Sequence, residues 1–513
     1  MKPSSHVIFA ILLISATQGI LLAQSAGQPR EAGVSLSTQS LQSSGLEEKV
    51  KELSSALTET QQQLERSQQQ IQVLQSRLGE IEKQLSLGQP IVPASTSTDP
   101  VSTLKAEVSD LKEQQGILQA QVKLHEQTKV ESTSKYPVRV SGLILFNAFA
   151  NTNVVDNIDL PSLTYQLPYG TSSQSAGAGF RQTILGIEGI GPKVLGAQSS
   201  AEVSLDFFGG LAYSNYQTSA GIVRMRTAAV NLDWANDRVQ AGFVEPLISP
   251  LSPTSYATVA EPSLAGAGNL WTWSPQLMVE HRLPLANARH VGFEFGLWDP
   301  PAAGFTNNQV LRNPSPGERS MQPAYEGHVL YKSDSKDDNF DLGIGGYYSR
   351  QSYSNLLHED AWAVTTDWRI PLPARFVISG EGYRGRSIGG LGGGVYKDTL
   401  TGTDPVTGAS VTRGLNAIGG WIQLKERFSQ TIEANAAIGQ DTGLAGDFHS
   451  VILSSNASAT QLRARNRMLM GNLIFKPKTY LILSPEYRRV WAWQITGPPT
   501  TVNIFTLSAG YQF

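Results

Sequence analysis

Arg224 and Arg226, in the run VRMRTAAVNL (223–232), stand two residues apart in a segment that alternates as a strand does. Side chains at that spacing share one face of an extended chain. Two guanidiniums together in a low-dielectric channel attract anions and grip a carboxylate or phosphate through paired hydrogen bonds. Arg181, Arg384 and Arg386 lie in comparable runs and invite the same reading. The plainer alternative pairs these arginines with carboxylates on neighbouring strands, such as Glu202, Asp206, Glu381 or Glu486, where they stiffen a wall. Glu261 is the one charged residue of the stretch 246–274, which also carries Leu251, Tyr256, Leu270 and Trp271.

Other chemistry is hard to find in the 513 residues. There is no cysteine, which excludes disulfides, thiolate metal ligation, a cysteine nucleophile and a lipidated N-terminal cysteine. The seven histidines are scattered and form no HExxH-type zinc motif. No Ser/His/Asp or paired-acid constellation emerges, so neither an enzyme nor a cofactor is expected. A net charge of −3 offers no basic field for nucleic acid. After residue 24 no 18 consecutive residues are apolar, which excludes membrane-spanning helices. A chain 40% hydrophobic, with 48 Gly, 16 Tyr and 9 Trp, still suits a membrane β-barrel, whose strands are apolar on one face only.

After residue 132 short alternating segments rich in Gly, aromatic and β-branched residues follow one another between turn clusters. They predict sixteen strands, eighteen being the rival number: 138–151, 178–191, 198–208, 222–234, 237–245, 275–284, 289–298, 322–333, 339–352, 358–371, 374–386, 414–427, 429–441, 464–477, 479–494 and 502–513. Every second connection is tiny: Gly191-Pro192-Lys193, Ala235-Asn236-Asp237, Leu372-Pro373 and Lys476-Pro477-Lys478. The alternate connections are mostly long: 152–177, 246–274, 299–321, 387–413 and 442–463. Short turns at one rim and long loops at the other are the rhythm of an all-β antiparallel outer-membrane barrel with its turns in the periplasm. The last strand fits: Phe505, Leu507, Ala509, Tyr511 and Phe513 share one face, Thr506, Ser508, Gly510 and Gln512 the other. A barrel of this size is wide enough for an aqueous channel. Facing lipid near the midplane would cost an arginine roughly 2–4 kcal/mol, so Arg224 and Arg226 are expected in the lumen or at a rim.

Upstream, Met1-Lys2, the apolar run 7–22 and small residues at Ala23, Ser25 and Ala26 make residues 1–25 a secretory signal peptide. Residues 26–44 read as a disordered segment. From 45 to 87 the 4-3 spacing of Leu46, Val50, Leu53, Leu57, Thr60, Leu64, Ser67, Ile71, Leu74, Leu78, Ile81 and Leu85 is that of a left-handed coiled coil. Residues 88–100 contain three prolines and form a linker; a weaker seam makes 101–132 a second helix; residues 133–513 are the barrel. An even strand count leaves both barrel ends, and so the coiled coil, on the periplasmic side.

The runs RQTILGIEGIGP (181–192), AEVSLDFFGG (201–210), VRMRTAAVNL (223–232), VEPLISP (244–250), WSPQL (273–277) and GNLIFKPKTYLILSPEYRRV (471–490) resemble the DcaP-like trimeric porins. The resemblance implies a periplasmic coiled coil joined to a sixteen-stranded barrel that passes small anionic solutes, dicarboxylates among them, as a homotrimer in the lipid bilayer of the outer membrane. It places Arg224 and Arg226 on the lumen as paired arginines and Glu202 and Asp206 as acidic wall residues. Thr227 stands where that family usually has His, and the third outer loop is nearly free of charge. In porins that loop folds inward as the constriction; here 246–274 is either such an eyelet or an ordinary surface loop. Tyr511 and terminal Phe513 resemble the signal read by the barrel-assembly machinery. Rival readings are a phosphate-selective porin, which would want lysines in the third loop, and a structural tether whose coiled coil touches peptidoglycan.

Overall fold

From Val138 to Gln512 the described residues form long strands joined alternately by short turns and longer loops. The structure, a computed structural model, describes residues 136–165, 173–211, 221–303, 313–333, 340–354, 357–454 and 457–513. The signal peptide, coiled coil, linker and second helix expected over 1–132 lie outside the described residues.

The strands are β1 (Val138–Asn151), β2 (Ser175–Gly179), β3 (Ile184–Val194), β4 (Ala197–Asp206), β5 (Arg224–Asp233), β6 (Asp237–Val244), β7 (Ser274–Leu285), β8 (Arg289–Trp298), β9 (Ala324–Ser333) and β10 (Asp341–Ser354). They continue as β11 (Leu357–Pro371), β12 (Phe376–Arg386), β13 (Thr399–Thr403), β14 (Ser410–Gly414), β15 (Asn416–Arg427), β16 (Ile432–Gly443), β17 (Arg463–Lys478), β18 (Leu481–Gln494) and β19 (Thr500–Gln512). All but the β13–β14 hairpin join one antiparallel sheet in which each strand pairs with its neighbours in sequence. The pairing of β1 with β19, from Leu143 opposite Gln512 to Asn151 opposite Ile504, closes it into a barrel. β2 and β3 pair with the two halves of β1, so they are one barrel strand broken at residues 180–183. Seventeen sheet strands therefore make sixteen staves, the expected number.

Alternation fixes which face each side chain takes, and burial runs opposite to that of a water-soluble protein. On β19, Phe505, Leu507 and Tyr511 are exposed on the outside, whereas Thr506 and Ser508 are buried inside. Ile144, Val230, Val279, Phe295, Ile344, Val364, Ile438 and Leu473 continue the exposed apolar surface around the barrel. That surface is stable only in hydrocarbon, and closure leaves no unpaired strand edge within it. Terminal Phe513 exchanges both backbone hydrogen bonds with Gly142, at 3.0 Å each. Its ring lies so close that a Cβ on Gly142 would fall 2.6 Å from Phe513 Cζ.

Two expected turns are displaced. Gly191-Pro192-Lys193 is not a turn: β3 runs through it with a bulge between Ile190 and Lys193, and the chain reverses at Leu195 and Gly196, both at positive φ. Paired positive φ values match the right-handed twist of a hairpin, and glycine adopts them freely. Lys476–Lys478 likewise remains in β17, with the reversal at residues 479–480. Prolines at these edges interrupt the ladder without ending the strand. The long connection after β12 is not all irregular, since β13 and β14 form a hairpin there, and the connection after β16 carries two short helices, α1 (Ala445–His449) and α2 (Ala459–Leu462).

Leu507 on the outer face and Thr506 on the inner face test the assignment of sides. Leu507→Arg is predicted to lower barrel stability in lipid vesicles by about 2–4 kcal/mol, measured by guanidinium unfolding, whereas Leu507→Ile leaves it nearly unchanged.

Candidate functional site

The connection between β6 and β7, residues 245–273, does not project from the rim. It turns into the lumen and crosses it. Such a segment carries backbone donors and acceptors away from any ladder, and each needs a partner. The inward-facing side chains of the wall supply them in sequence. Leu247 N–H donates to Glu326 on β9 at 3.1 Å. Ser249 Oγ and Leu251 N–H donate to the two oxygens of Glu381 on β12 at 2.6 and 2.7 Å. Thr254 N–H donates to Gln423 on β15 at 2.6 Å, and Thr254 O accepts from Asn472 on β17 at 2.8 Å. Ser255 Oγ donates to Glu486 on β18 at 2.5 Å. Returning, Val259 and Ala260 donate to Gln182 Oε1 at 2.7 and 3.1 Å, and Gln182 Nε2 donates to Ala257 O at 2.9 Å. Asn466 then holds Gly266 O at 3.0 Å.

The loop's small residues let it lie against the wall. Gly268, at φ +102, approaches so closely that a Cβ would sit 2.2 Å from Gly420 O. Apolar contacts complete the seal: Ile248 and Leu270 pack with Trp298, Tyr347, Tyr383 and Leu391, and Leu251, Leu264 and Ala267 with Trp421, Met468, Met470, Val490 and Ile504. Much of the wall from β8 to β19 is therefore lined by loop rather than by water. The inward-folded eyelet, rather than a surface loop, is what the chain forms.

Arg224 and Arg226 both meet this loop from β5. A bulge makes that possible. Ser204 pairs with Thr227 and Leu205 with Met225, so Arg226 is the extra residue and both guanidiniums turn inward. Arg224 grips buried Asp206 at 3.1 and 2.7 Å and donates to Ala260 O at 2.8 Å. Arg226 donates to Asp206 at 3.3 Å and to Val259 O at 2.6 Å. Both guanidiniums stand 5.0 Å from the ring of Trp273, whose indole N–H donates to Glu245 at 3.4 Å. Their side chains are 24% and 14% exposed, against 0% for Asp206. The wall pairing weighed as the plainer alternative is thus real for Asp206, a single carboxylate that two guanidiniums share, with Glu245 close by at Trp273.

Glu261 lies on the loop near this cluster. Loss of hydration, with the nearby charge of Asp156, pushes its carboxyl up to about 7 against the opposing pull of Arg224. Arg181 is held by Asp159 at 2.8 Å and stacks over Phe208 at 4.3 Å, so it ties the first loop to the wall. Glu202 is exposed to the lumen opposite Glu188, whose carboxylate lies 3.6 Å from Arg139.

Arg384 and Arg386 are not in this site. On β12 the inward positions are Ser379, Glu381, Tyr383 and Gly385, so Arg384 takes the outer face, 5.7 Å from the ring of Trp362. Arg386 ends the strand and pairs with Glu359 at 2.8 Å at the loop-side rim. The cost of an outward arginine falls to about 0–1 kcal/mol near the interface, which is why both are tolerated there. The loop is also bounded as 245–273, so Glu245 joins Glu261 as a second charge.

The sequence reading missed several anchors, among them Glu326, Gln423, Asn472 and Gln182. It also missed His328, which bridges Glu294 and Asp367 at 2.8 Å each. Near the short-turn end five lumen cations are paired, Arg139–Glu188 at 3.6 Å, Arg238–Asp233 at 2.6 Å, Arg282–Glu280 at 2.5 Å, Arg369–Asp341 at 3.0 Å and Lys425–Glu433 at 3.2 Å, while Lys476 stands 5.4 Å from the ring of Tyr256. Alternation could have found these, since each is a polar residue on an otherwise apolar strand.

A closed sixteen-stranded barrel with a loop strapped across its lumen is a porin-type fold. It matches the outer membrane channel DcaP of Acinetobacter baumannii with a TM-score of 0.56 at 15% identity, over 74% of this chain and 99% of that one. An anion-selective porin from Comamonas acidovorans gives 0.46 at 10% identity, over 74% and 100% of the two chains. OmpF of Salmonella typhi, in complex with daunomycin, gives 0.44 at 10% identity over 74% and 98%. No protein-family model and no curated protein matches the chain. The DcaP-like barrel anticipated from short sequence runs is the fold the chain adopts.

Because the Glu261 carboxyl ionises near 7, it is neutral below that pH and cancels positive charge above it. Reversal potential in a KCl gradient is predicted to move toward the cation side as pH rises through about 7, and Glu261→Gln abolishes the change.

Proposed function

We propose that this chain is an outer-membrane porin through which small hydrophilic solutes diffuse, with a preference for small anions such as dicarboxylates. The observation that carries it is the strapped lumen: a membrane barrel whose inward loop narrows a charged passage. Pore width and the polarity of the narrowest lining then do the selecting. The anion preference rests on Arg224 and Arg226 sharing the single buried carboxylate of Asp206 at the loop. The paired lumen cations nearer the turns add little net field, so the preference is modest.

Assembly as a homotrimer is supported by strand length. β6 has 8 residues and β4 and β5 have 10 each. At 3.3 Å per residue and a tilt near 40°, eight residues rise only about 20 Å, less than the ~25 Å apolar band of such barrels. That side of the wall is best covered by another copy. The signal peptide and coiled coil expected upstream fit export and a periplasmic position for the N-terminal segment. Tyr511 and Phe513, on the outer face at the end of β19, are accessible to the barrel-assembly machinery.

Asp206→Asn tests the selectivity. It keeps hydrogen-bonding shape but removes the charge that neutralises the arginines. Reversal potential is predicted to shift toward the anion side relative to the unaltered channel, and Arg224→Ala/Arg226→Ala to shift it the other way. A channel that conducts with identical reversal potentials in all three contradicts the anion reading, and absence of conductance contradicts the porin.

A further inference from the structure

Among the described residues, four arginines on the outside of the barrel form no salt bridge with a carboxylate. Arg465 and Arg467 on β17 alternate with buried Asn466 and Met468, and Arg489 on β18 alternates with buried Arg488 and Val490, which fixes all three outward. Arg384 on β12 joins them through one continuous cross-strand row: Arg384, Ile418, Thr442, Arg465, Trp493. Three strand spacings of about 4.8 Å put Arg384 roughly 14 Å from Arg465.

Their partners are neutral. Arg465 and Arg467 each stand 5.6 Å from the Trp493 ring, Arg489 stands 5.0 Å from Trp491, and Arg384 stands 5.7 Å from Trp362. Arg467 donates twice to Gln440 Oε1, at 2.8 and 2.5 Å. Arg384 donates to Ala417 O at 3.0 Å and Asn416 Oδ1 at 3.2 Å. Arg489 Nε is buried with no hydrogen-bond partner. Among the described residues no carboxylate forms a salt bridge with any of the four. Arg350, also on the outer face, is different: Asp360 neutralises it at 2.8 Å.

Depth and strand length say what covers the patch. Arg465 and Arg467 are within the first five residues of β17, at the long-loop end, level with tryptophans of the kind that mark the interface of a membrane barrel. β17 and β18 have 16 and 14 residues, which rise about 40 and 35 Å at the usual tilt. Strands of that length reach past the hydrocarbon into the headgroups, unlike the short β4–β6 side. A second copy presenting the same face would set arginine against arginine. Unpaired guanidiniums at headgroup depth bind phosphate through charge-assisted, paired hydrogen bonds.

We propose that Arg384, Arg465, Arg467 and Arg489 form a binding site for the phosphate groups of the acylated, phosphorylated glycolipid in the outer leaflet. This rests on the outer-membrane reading. Tryptophan faces pack the sugar and upper acyl region while the guanidiniums take the phosphates.

The test uses full-length protein in detergent with bis-phosphorylated lipid A, the same lipid A dephosphorylated, and inorganic phosphate as probes. Bound lipid is read by native mass spectrometry; folding is read by heat-modifiable migration, and the pore by conductance. Wild type retains the phosphorylated lipid, and Arg465→Gln/Arg467→Gln/Arg489→Gln retains it at least about tenfold more weakly, the loss expected of a few charge-assisted hydrogen bonds. Conductance and folded migration are unchanged. If the triple variant misfolds, the single exposed change Arg465→Gln carries the test, with about threefold weaker retention expected. Equal retention of dephosphorylated lipid, equal retention by the variants, or binding of inorganic phosphate alone overturns the proposal. So does a variant that falls to monomers yet keeps the lipid, which gives the face to a second copy. Conductance without lipid retention refutes this site and leaves the porin; lipid retention without conductance does the reverse.

Discussion

A backbone that leaves the rim of a barrel and enters its lumen loses the ladder that satisfied it, and each buried N–H or C=O left bare costs about 1–3 kcal/mol. Residues 245–273 meet that constraint with wall side chains instead of strand neighbours. Glu326, Glu381 and Glu486 accept from the loop's outward leg; Gln182, Arg224 and Arg226 satisfy its return. The rest follows from that exchange. Carboxylates buried in the wall accept hydrogen bonds from the loop, arginines are aimed inward by a bulge because loop carbonyls wait there, and apolar inward residues such as Trp421 and Met468 exist to seat the loop.

Arginine plays two opposite parts in one wall. Inside, Arg224 and Arg226 divide a single carboxylate and two loop carbonyls, so they hold the constriction in place and charge it at once. Outside, Arg465, Arg467 and Arg489 rest on tryptophan rings with no salt-bridged carboxylate among the described residues. Position along the strand decides whether an outward arginine is a defect or a contact. At the midplane it is expensive; within a turn of the loop-side end it reaches the headgroups.

The barrel was readable because its signal is periodic and repeated. Alternation on 138–151 and 289–298 gives the strand limits unchanged, and the last strand shows both faces in its final residues. The third loop stood out by its length, but whether it folds inward was left open by the sequence, since the wall side chains that hold it lie far away along the chain. What alternation could not show was a broken period. The bulge at Arg226 sets both arginines inward although Ala228 and Val230 of the same strand face out. Arg384 and Arg386 look equivalent in sequence, yet Glu381 and Tyr383 hold the inward phase and leave Arg384 outside. Gln182 sits in the break between β2 and β3, where no period applies, and only its contacts with residues 257–260 reveal it.

The central claim is that buried wall carboxylates hold the loop across the lumen and so set the width of the pore. The direct measurement is the size cut-off for neutral polymers in planar bilayers, compared between the unaltered protein and Glu326→Ala/Glu381→Ala/Glu486→Ala. The account predicts that the unaltered channel excludes polymers the triple variant admits, with larger and noisier single-channel currents in the variant. An unchanged cut-off in a folded, conducting variant would contradict it.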